Sequence, residues 1–293
     1  MTRAELLSIA QRACKARSMR GALRVLRNAR DRMPRKRGPH YHKTWMGCFD
    51  RLMAGLKAGT PAYAIFAMTG NRKLPFASFS SVPIVDCPGY GDCGGWCYSF
   101  KAWMYPSAYC RQLQNSLLLR FGSHHIRAAF RALPHGSTIR LYVDGDFRSV
   151  GCVAMWMNLL HTRLDLSAYG YSKSWRELLS YHDRCGGAWP LNYVLNLSTG
   201  GNLDADQRSI DRMLSLPITR GWFVSAPIDM KGLASGFKRY EDGDYHARVR
   251  DYLREQHGKR SASCGGLCDR CGNGKPWCND NRLVGLTIGI GTH

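Results

Sequence analysis

The sequence lacks any uninterrupted run of eighteen apolar residues, and charged residues recur from Arg3 onward. A membrane-spanning helix needs about twenty mostly apolar residues, and a secretory signal peptide needs an apolar stretch close to the N terminus. Neither pattern is found. The sequence therefore predicts a cytoplasmic protein that has no membrane partner.

Acidic residues are also scarce, since 21 Asp and Glu face 42 Lys and Arg and leave a net charge of +21. Solubility alone needs far less charge than this. A strongly basic protein of ordinary globular composition, here 44% apolar residues, is typical of one that binds a polyanion. We expect the partner to be nucleic acid, either DNA or RNA.

Several familiar catalytic motifs are missing from the chain. It has no glycine-rich phosphate-binding loop that ends in Lys-Ser or Lys-Thr, no Gly-x-Ser-x-Gly elbow and no His-Glu-x-x-His helix. These absences argue against the usual routes of nucleotide hydrolysis, against serine esterases and against metalloproteases. No internal repeat of solenoid or propeller period is found either.

The positive charge is concentrated at the start of the chain. Residues 1–43 hold thirteen Lys and Arg against two acidic residues. Apolar residues recur there at helical spacing, which predicts one basic amphipathic helix over 4–33, followed by a cationic linker. We therefore divide the chain into a basic, helical, nucleic-acid-binding extension over 1–43 and a metal-binding α/β domain over 44–293. The residues expected to contact phosphates are Arg17, Arg20, Arg24, Arg27, Arg35, Lys36 and Arg37.

The rest of the chain alternates short β-branched runs with helical patterns, which predicts parallel βα units that form a partial barrel. Polar, glycine-rich segments follow successive predicted strands, so their side chains should gather at one edge of the sheet. The predicted strands are 82–86, 138–143, 163–169, 192–197, 221–225 and 283–290, and the predicted helices include 45–57, 150–161, 175–182 and 204–214.

Three cysteines, Cys87, Cys93 and Cys97, lie in one glycine-rich loop, with five and three residues between them. Thiolates in such a flexible loop can converge on one metal centre. Three ligands would leave one iron of a 4Fe-4S cluster open for a substrate or cofactor. A zinc ion would instead recruit a fourth ligand, for which the sequence offers Cys110, His124 or His125.

A second group of four cysteines can complete a metal site without further ligands. The group consists of Cys264, Cys268, Cys271 and Cys278, separated by three, two and six residues. Four thiolates suit either a structural zinc ion or a fully ligated 4Fe-4S cluster, and the spacing does not choose between them.

The loop from Cys87 to Cys97, with Trp96 before its last cysteine, resembles the cluster loop of radical S-adenosylmethionine enzymes. The usual spacing in that superfamily is three and two residues, whereas the spacing here is five and three. The resemblance implies that S-adenosylmethionine is a cofactor. It also assigns to cofactor binding the turn Asp144, Gly145 and Asp146, which matches a Gly-Gly-Glu-like turn imperfectly, and the strand residues Asn196 and Ser198.

A second resemblance spans residues 65–293 and is carried by Gly70 to Pro75, the three-cysteine loop, Asp144 to Asp146 and the terminal cysteines. These segments are similar to the phage and plasmid gene-product-eighty-eight-like family. That resemblance implies a mobile-element origin and leaves the chemistry open.

These patterns lead to two functional hypotheses. The first is an iron–sulfur, radical-S-adenosylmethionine-like enzyme that acts on nucleic acid, with Asp146, Tyr171 and Lys173 as catalytic candidates. The second is a non-enzymatic, metal-stabilised DNA-binding protein of a plasmid or phage, such as a replication or transcription factor. The two differ at the first cysteine group, because an enzyme needs an exchangeable iron position there and a structural centre needs a fourth protein ligand.

Overall fold

A computed structural model describes residues 1–33, 38–68, 74–234, 238, 241–266, 268, 271 and 276–292. The helices are α1 (Arg3–Cys14), α2 (Met19–Asp31), α3 (Pro39–Ala58), α4 (Cys93–Trp96), α5 (Pro106–Phe121), α6 (Ser123–Arg131), α7 (Val150–His161), α8 (Trp175–Cys185), α9 (Gln207–Leu214) and α10 (Gly243–His257). Short 3-10 helices span Tyr98–Met104, Trp277–Asn279 and Asn281–Leu283.

The strands form one sheet in the order β1-β2-β3-β4-β5-β6-β8-β7. They are β1 (Phe66–Ala67), β2 (Ala77–Phe79), β3 (Thr138–Leu141), β4 (Ser167–Ser172), β5 (Tyr193–Ser198), β6 (Thr219–Pro227), β7 (Ser261–Ser263) and β8 (Thr287–Thr292). Only the β1–β2 pair is antiparallel among these strands. The predicted class, a mixed α/β protein with a mostly parallel sheet, is confirmed.

The two faces of the sheet are covered differently, because successive side chains of a strand point to opposite faces. On β4, Ala168 packs into the main core beneath the helices, while Tyr169 points to the other face. On β5, Leu195 and Val194 alternate in the same way. The second face is covered by the C-terminal segment that carries Cys278, so both faces are buried, as is usual for parallel sheets.

The basic N-terminal segment forms two helices where the sequence predicts one. Ser18 interrupts it, because its hydroxyl accepts a hydrogen bond from Gly21 N–H at 3.2 Å and so caps α2. Leu6, Ala10 and Leu26 are buried in the main core, and α1 and α2 pack against each other and against α5. The residue-43 boundary falls within α3, and Arg35, Lys36 and Arg37 lie outside the described residues.

The first predicted strand, 82–86, is wrong. Pro83 has no N–H to donate to a ladder, and Ile84 has a φ of 67°, so this segment forms a turn. The strand that enters the cysteine loop is β2, a few residues earlier. The predicted helix 150–161 is confirmed at both ends. Within the described ranges, no helix combines the length and apolar character needed to cross a membrane.

Candidate metal centre

The three-cysteine loop lies at the carboxyl edge of the parallel sheet, next to the loops that follow β3, β4 and β5. Two non-glycine residues beside it have left-handed backbones: Ile84 with a φ of 67° and Tyr142 with a φ of 57°. Such conformations cost about 1–3 kcal/mol each and cluster at functional sites. The backbone strain of the described residues is therefore concentrated around Cys87 and Asp144.

Glycines allow the cysteine loop to lie directly on its neighbours. A Cβ placed on Gly89 would lie 1.6 Å from the carbonyl oxygen of Lys173. Gly91 and Cys93 each donate a backbone N–H to the carbonyl of Gly200 at 3.2 Å, and Asn202 N–H donates to the carbonyl of Gly89 at 3.0 Å. Backbone contacts thus fix the position of the loop against the ends of β4 and β5.

The three thiols of this loop share one partly buried neighbourhood. Burial raises the pKa of Cys87 well above its ordinary value, and the nearby Asp146 and Cys97 raise it further. Burial also raises the pKa of Cys93, whereas the ammonium of Lys173 lowers it. The charge of Cys97 acts on both thiols.

We tested whether this donor set fits a metal. Three thiols are suitable ligands for iron or zinc, but no three His, Cys, Asp or Glu side chains among the described residues are close enough together to hold an ion. A Cys sulfur moves by rotation about one bond. Binding would therefore require the thiols to turn toward one centre.

The zinc alternative requires a fourth ligand, and the three residues considered for it lie elsewhere. Cys110 is fully buried in α5, where the charge of Cys48 and a hydrogen bond with Tyr63 act on its thiol. His124 and His125 line a cavity of about 230 Å³ together with Met19 on the far side of α5. None of the three belongs to the cysteine loop.

Asp146 connects the loop after β3 to the loop after β4. Its carboxylate accepts hydrogen bonds from the Ser172 hydroxyl at 2.8 Å, from Lys173 N–H at 2.7 Å and from Ser174 N–H at 3.2 Å. Phe147 N–H donates a further bond at 2.8 Å. Burial raises the pKa of Asp146, although these hydrogen bonds lower it in part. Asp146 therefore fixes the loop that follows β4, and Gly89 packs against that loop.

Asp144 is similarly occupied by protein groups. It accepts a hydrogen bond from Gln112 Nε2 at 2.9 Å. Burial raises the pKa of Asp144, and hydrogen bonds from Ser99 and Ser80 partly offset this increase. Gly145 has a φ of +79°, and a Cβ there would lie 2.1 Å from the Ser81 hydroxyl. This turn is thus locked to the segment that enters the cysteine loop.

Lys173 places a cation beside Cys93. Its ammonium donates to the Ser198 hydroxyl at 2.8 Å, and its charge acts on both Cys93 and Asp204. Ser198 ends β5 at the same edge of the sheet. Lys173 and Ser198 therefore lie with the first cysteine group, as the sequence predicts for neighbouring strand ends.

The second cysteine group lies on the other face of the sheet, together with Tyr171 and Asn196. The pKa of Cys264 is raised to about 12 and that of Cys278 to about 11, in both cases mainly by burial. The pKa values of both thiols also respond to Cys268 and Cys271, so the four cysteines share one region. Asn196 donates to the carbonyl of Cys278 at 2.9 Å.

Two arginines lie close to the second cysteine group. Arg220, only 1% exposed, donates to the Asn196 amide oxygen at 2.6 Å, and its guanidinium acts on the Cys278 thiol. Arg140 lies 4.5 Å from the centre of the Tyr171 ring, and its charge is coupled to Tyr98 and Cys268. Across the described residues, no carboxylate is within salt-bridge distance of either arginine.

The N-terminal helices reach the cysteine loop through Arg3. Its guanidinium donates to the carbonyl of Gly94 at 2.8 Å and lies 3.5 Å from the centre of the Phe100 ring. Arg17, Arg20, Arg24 and Arg27 are all exposed. The basic surface and the cysteine loop therefore belong to one packed body.

Sequence reasoning missed the aromatic surface that surrounds the cysteine loop. The side chains of Tyr90, Trp96, Tyr98 and Tyr105 are 45%, 45%, 56% and 65% exposed. Aromatic residues are usually counted as core material, and the sequence marks these four only by their closeness to the cysteines.

Comparison with known proteins gives one match. The family model described as gene product 88 matches residues 51–273, about three quarters of the chain. The match covers the first cysteine group, the loops after β3 to β5 and three of the four C-terminal cysteines, but not α1 and α2. No curated protein and no solved structure matches the chain.

Proposed function

The chain belongs to the gene product 88 family, and from the site described above we propose that it is an iron–sulfur, radical-S-adenosylmethionine-like protein that binds nucleic acid and acts on it. The observation that carries this proposal is the position of the three-cysteine loop, at the carboxyl edge of a parallel sheet beside Lys173 and Ser198. This edge is where parallel α/β proteins carry their active sites.

The order of the strands supports a partial-barrel reading of the fold. Strands β2 to β6 are parallel and follow one another in both sequence and space. Each connection passes through at least one helix, which is the repeating unit of α/β barrels. We therefore propose that the sheet forms a partial barrel like that of radical S-adenosylmethionine enzymes.

In this proposal, Cys87, Cys93 and Cys97 hold a 4Fe-4S cluster that leaves one iron open. When bound, such a cluster with S-adenosylmethionine supplies reductive cleavage of the cofactor to a carbon radical. The protein's own contribution is to place the loop. Asp146 positions the loop by holding the Lys173 backbone, and the Lys173 ammonium supplies a proton or a phosphate contact beside Cys93.

The other residues that the resemblance assigns to S-adenosylmethionine have protein partners already. Asp144 is bonded to Gln112, Asp146 to four protein donors, and Asn196 to Arg220 and Gly170. The Ser198 hydroxyl is held by Lys173 at the carboxyl edge of the sheet. We assign no step in cofactor binding to Asp144, Gly145, Asp146 or Asn196.

We propose a second metal site at Cys264, Cys268, Cys271 and Cys278, holding either zinc or a 4Fe-4S cluster. A buried arginine without a carboxylate is costly unless another anion compensates it. Arg220 is almost fully buried beside Cys278, whereas the charge of Arg140 acts on Cys268 and also on the carboxylate of Asp144. Four thiolates on a metal carry net negative charge, which these two guanidinium groups would balance.

A second candidate function is a non-enzymatic, metal-stabilised DNA-binding protein. It is favoured by the hydrogen-bonding of Asp144, Asp146 and Asn196, whose polar atoms serve the fold and not a ligand. In this case both cysteine groups would be structural, and the basic helices alone would carry the function.

One spectroscopic experiment separates the two candidates. Protein purified without oxygen is reduced, and its paramagnetic spectrum is recorded with and without S-adenosylmethionine. The enzyme proposal predicts that the cofactor shifts the spectrum of the wild-type protein but not that of a Cys87→Ala, Cys93→Ala, Cys97→Ala variant. An unchanged wild-type spectrum would contradict the enzyme proposal and favour the structural one.

A further inference from the structure

We propose that the aromatic surface around the cysteine loop, formed by Tyr90, Trp96, Tyr98 and Tyr105, stacks on unpaired nucleobases. The nucleic-acid partner would therefore be single-stranded where it meets the site. This inference rests on the proposed binding of nucleic acid, and it names the class of substrate.

The exposed aromatic side chains are confined to one short segment. In the described part of the chain, ten large hydrophobic side chains are exposed, and the four aromatic ones among them all fall between residues 90 and 105. Trp96 is 45% exposed, whereas the other seven tryptophans are buried or partly buried. Scattered exposed apolar residues need no explanation, but a concentration of rings beside a polar site marks a binding surface.

Three of the four rings lie against neighbouring backbone. The Tyr98 hydroxyl donates to the carbonyl of Val143 at 2.5 Å. The Trp96 ring lies against Gly200, where an added Cβ would come within 2.9 Å of it, and the Tyr90 ring lies in the same way against Gly94 at 3.1 Å. A surface ordered before binding loses less entropy when a ligand stacks on it.

The charge around this surface favours a polyanion over an apolar protein partner. Arg3 contacts Gly94 and Phe100 at one side of the loop, and Lys101 is exposed between Tyr98 and Tyr105. Lys173 lies beside Cys93. Arg3 belongs to α1, and the chain as a whole carries a net charge of +21.

A protein ring can stack only on a nucleobase that is not already stacked between the neighbouring bases of a duplex. Proteins that bind single strands combine a positively charged track with aromatic rings, and each stacked base contributes affinity whatever its identity. The bases of a duplex present only their edges in the grooves. The combination of rings and cations around the cysteine loop therefore fits a single strand, or a base displaced from a duplex.

The test compares binding of a fluorescent single-stranded oligonucleotide with binding of the matching duplex, at one fixed salt concentration. Trp96→Ala should weaken single-strand binding by about 5- to 100-fold and leave duplex binding unchanged, and Trp96→Phe should restore most of the affinity. Tyr105→Ala serves as a second variant. The control is Leu191→Ala, since Leu191 is 91% exposed and precedes β5 at the opposite edge of the sheet.

The outcomes separate this inference from the proposed function. If the wild-type protein binds neither strand nor duplex, binding of nucleic acid itself is wrong. If it binds both and neither Trp96→Ala nor Tyr105→Ala alters the preference, only the stacking surface is wrong. A change in oligomeric state without a change in binding would identify the surface as a contact between copies and would also overturn the inference.

Discussion

The carboxylate of Asp86 lies 2.7 Å from the guanidinium of Arg120, and Asp86 is fully buried directly before Cys87. The Ser116 hydroxyl donates to the same carboxylate at 2.5 Å. Helix α5 therefore holds the entrance of the cysteine loop through one ion pair and one hydrogen bond. This relationship connects the stability of the main core to the position of the first thiol.

Breaking this pair should be costly. Asp86→Asn leaves the Arg120 charge buried without compensation, so we expect the free energy of unfolding to fall by about 3 kcal/mol. Asp183→Asn is the matched control, because its pair with Arg212 is about half exposed and should cost less than about 1 kcal/mol. Urea unfolding of both variants measures the difference. Equal losses would show that the Asp86 pair has no special role.

The close packing of Gly89 should make it indispensable to the loop. Gly89→Ala would force the Lys173 carbonyl away from 1.6 Å, and we expect the variant to lose most of the metal bound at the first cysteine group. Gly95→Ala is the control in the same loop, since nothing lies within 4 Å of its added Cβ. Metal content after identical purification gives the readout. Retention of metal by Gly89→Ala would contradict the described loop packing.

The exposed arginines of α1 and α2 should contribute through phosphate contacts. Replacing Arg20, Arg24 and Arg27 with Ala should weaken binding and lower the slope of log affinity against log salt by up to about 2.7, because each neutralised phosphate of duplex DNA contributes about 0.9. The control replaces Arg208, Arg250 and Arg254, which are exposed on α9 and α10. An unchanged slope in the first variant would remove α2 from the interface.

Cys14 should lower the stability of the folded protein at alkaline pH. Burial raises the pKa of its thiol to about 12, from an ordinary value of 9.0. Between these two values the unfolded chain releases this proton and the folded chain keeps it, so stability falls by about 1.4 kcal/mol per pH unit. Cys14→Ala should therefore lose less stability than the wild-type protein between pH 8 and pH 10.5. Parallel pH curves in denaturant titrations would contradict this assignment.

The sequence predicts the elements whose signals are local. The apolar run of α7 matches the predicted helix at both ends, and the polar segments after β3, β4 and β5 meet at one edge, because parallel strands end together. The strand predicted over 82–86 failed at Pro83, and the single N-terminal helix failed at the cap formed by Ser18. Each error comes from a single residue, because Pro83 has no backbone N–H to donate and the Ser18 side chain caps a new helix.

The candidate site is less predictable because its partners are distant in sequence. Three of the four hydrogen-bond donors to Asp146 come from residues 172–174, so its role in fixing that loop is invisible in the Asp-Gly-Asp turn itself. The sequence predicts that Tyr171 and Asn196 lie with the first cysteine group, but strand alternation turns them toward Cys278. The exposure of Trp96 depends on which loops cover it, and a periodic pattern in the sequence does not predict how loops pack.

The most direct test of the central claim is the iron and acid-labile sulfide content of the full chain purified without oxygen. We compare the wild-type protein with a variant in which Cys87, Cys93 and Cys97 are replaced by Ala. The account predicts that the variant loses about four iron and four sulfide per chain and keeps the metal of the C-terminal cysteines. Zinc without sulfide in the wild-type protein, or equal iron in both proteins, would contradict it.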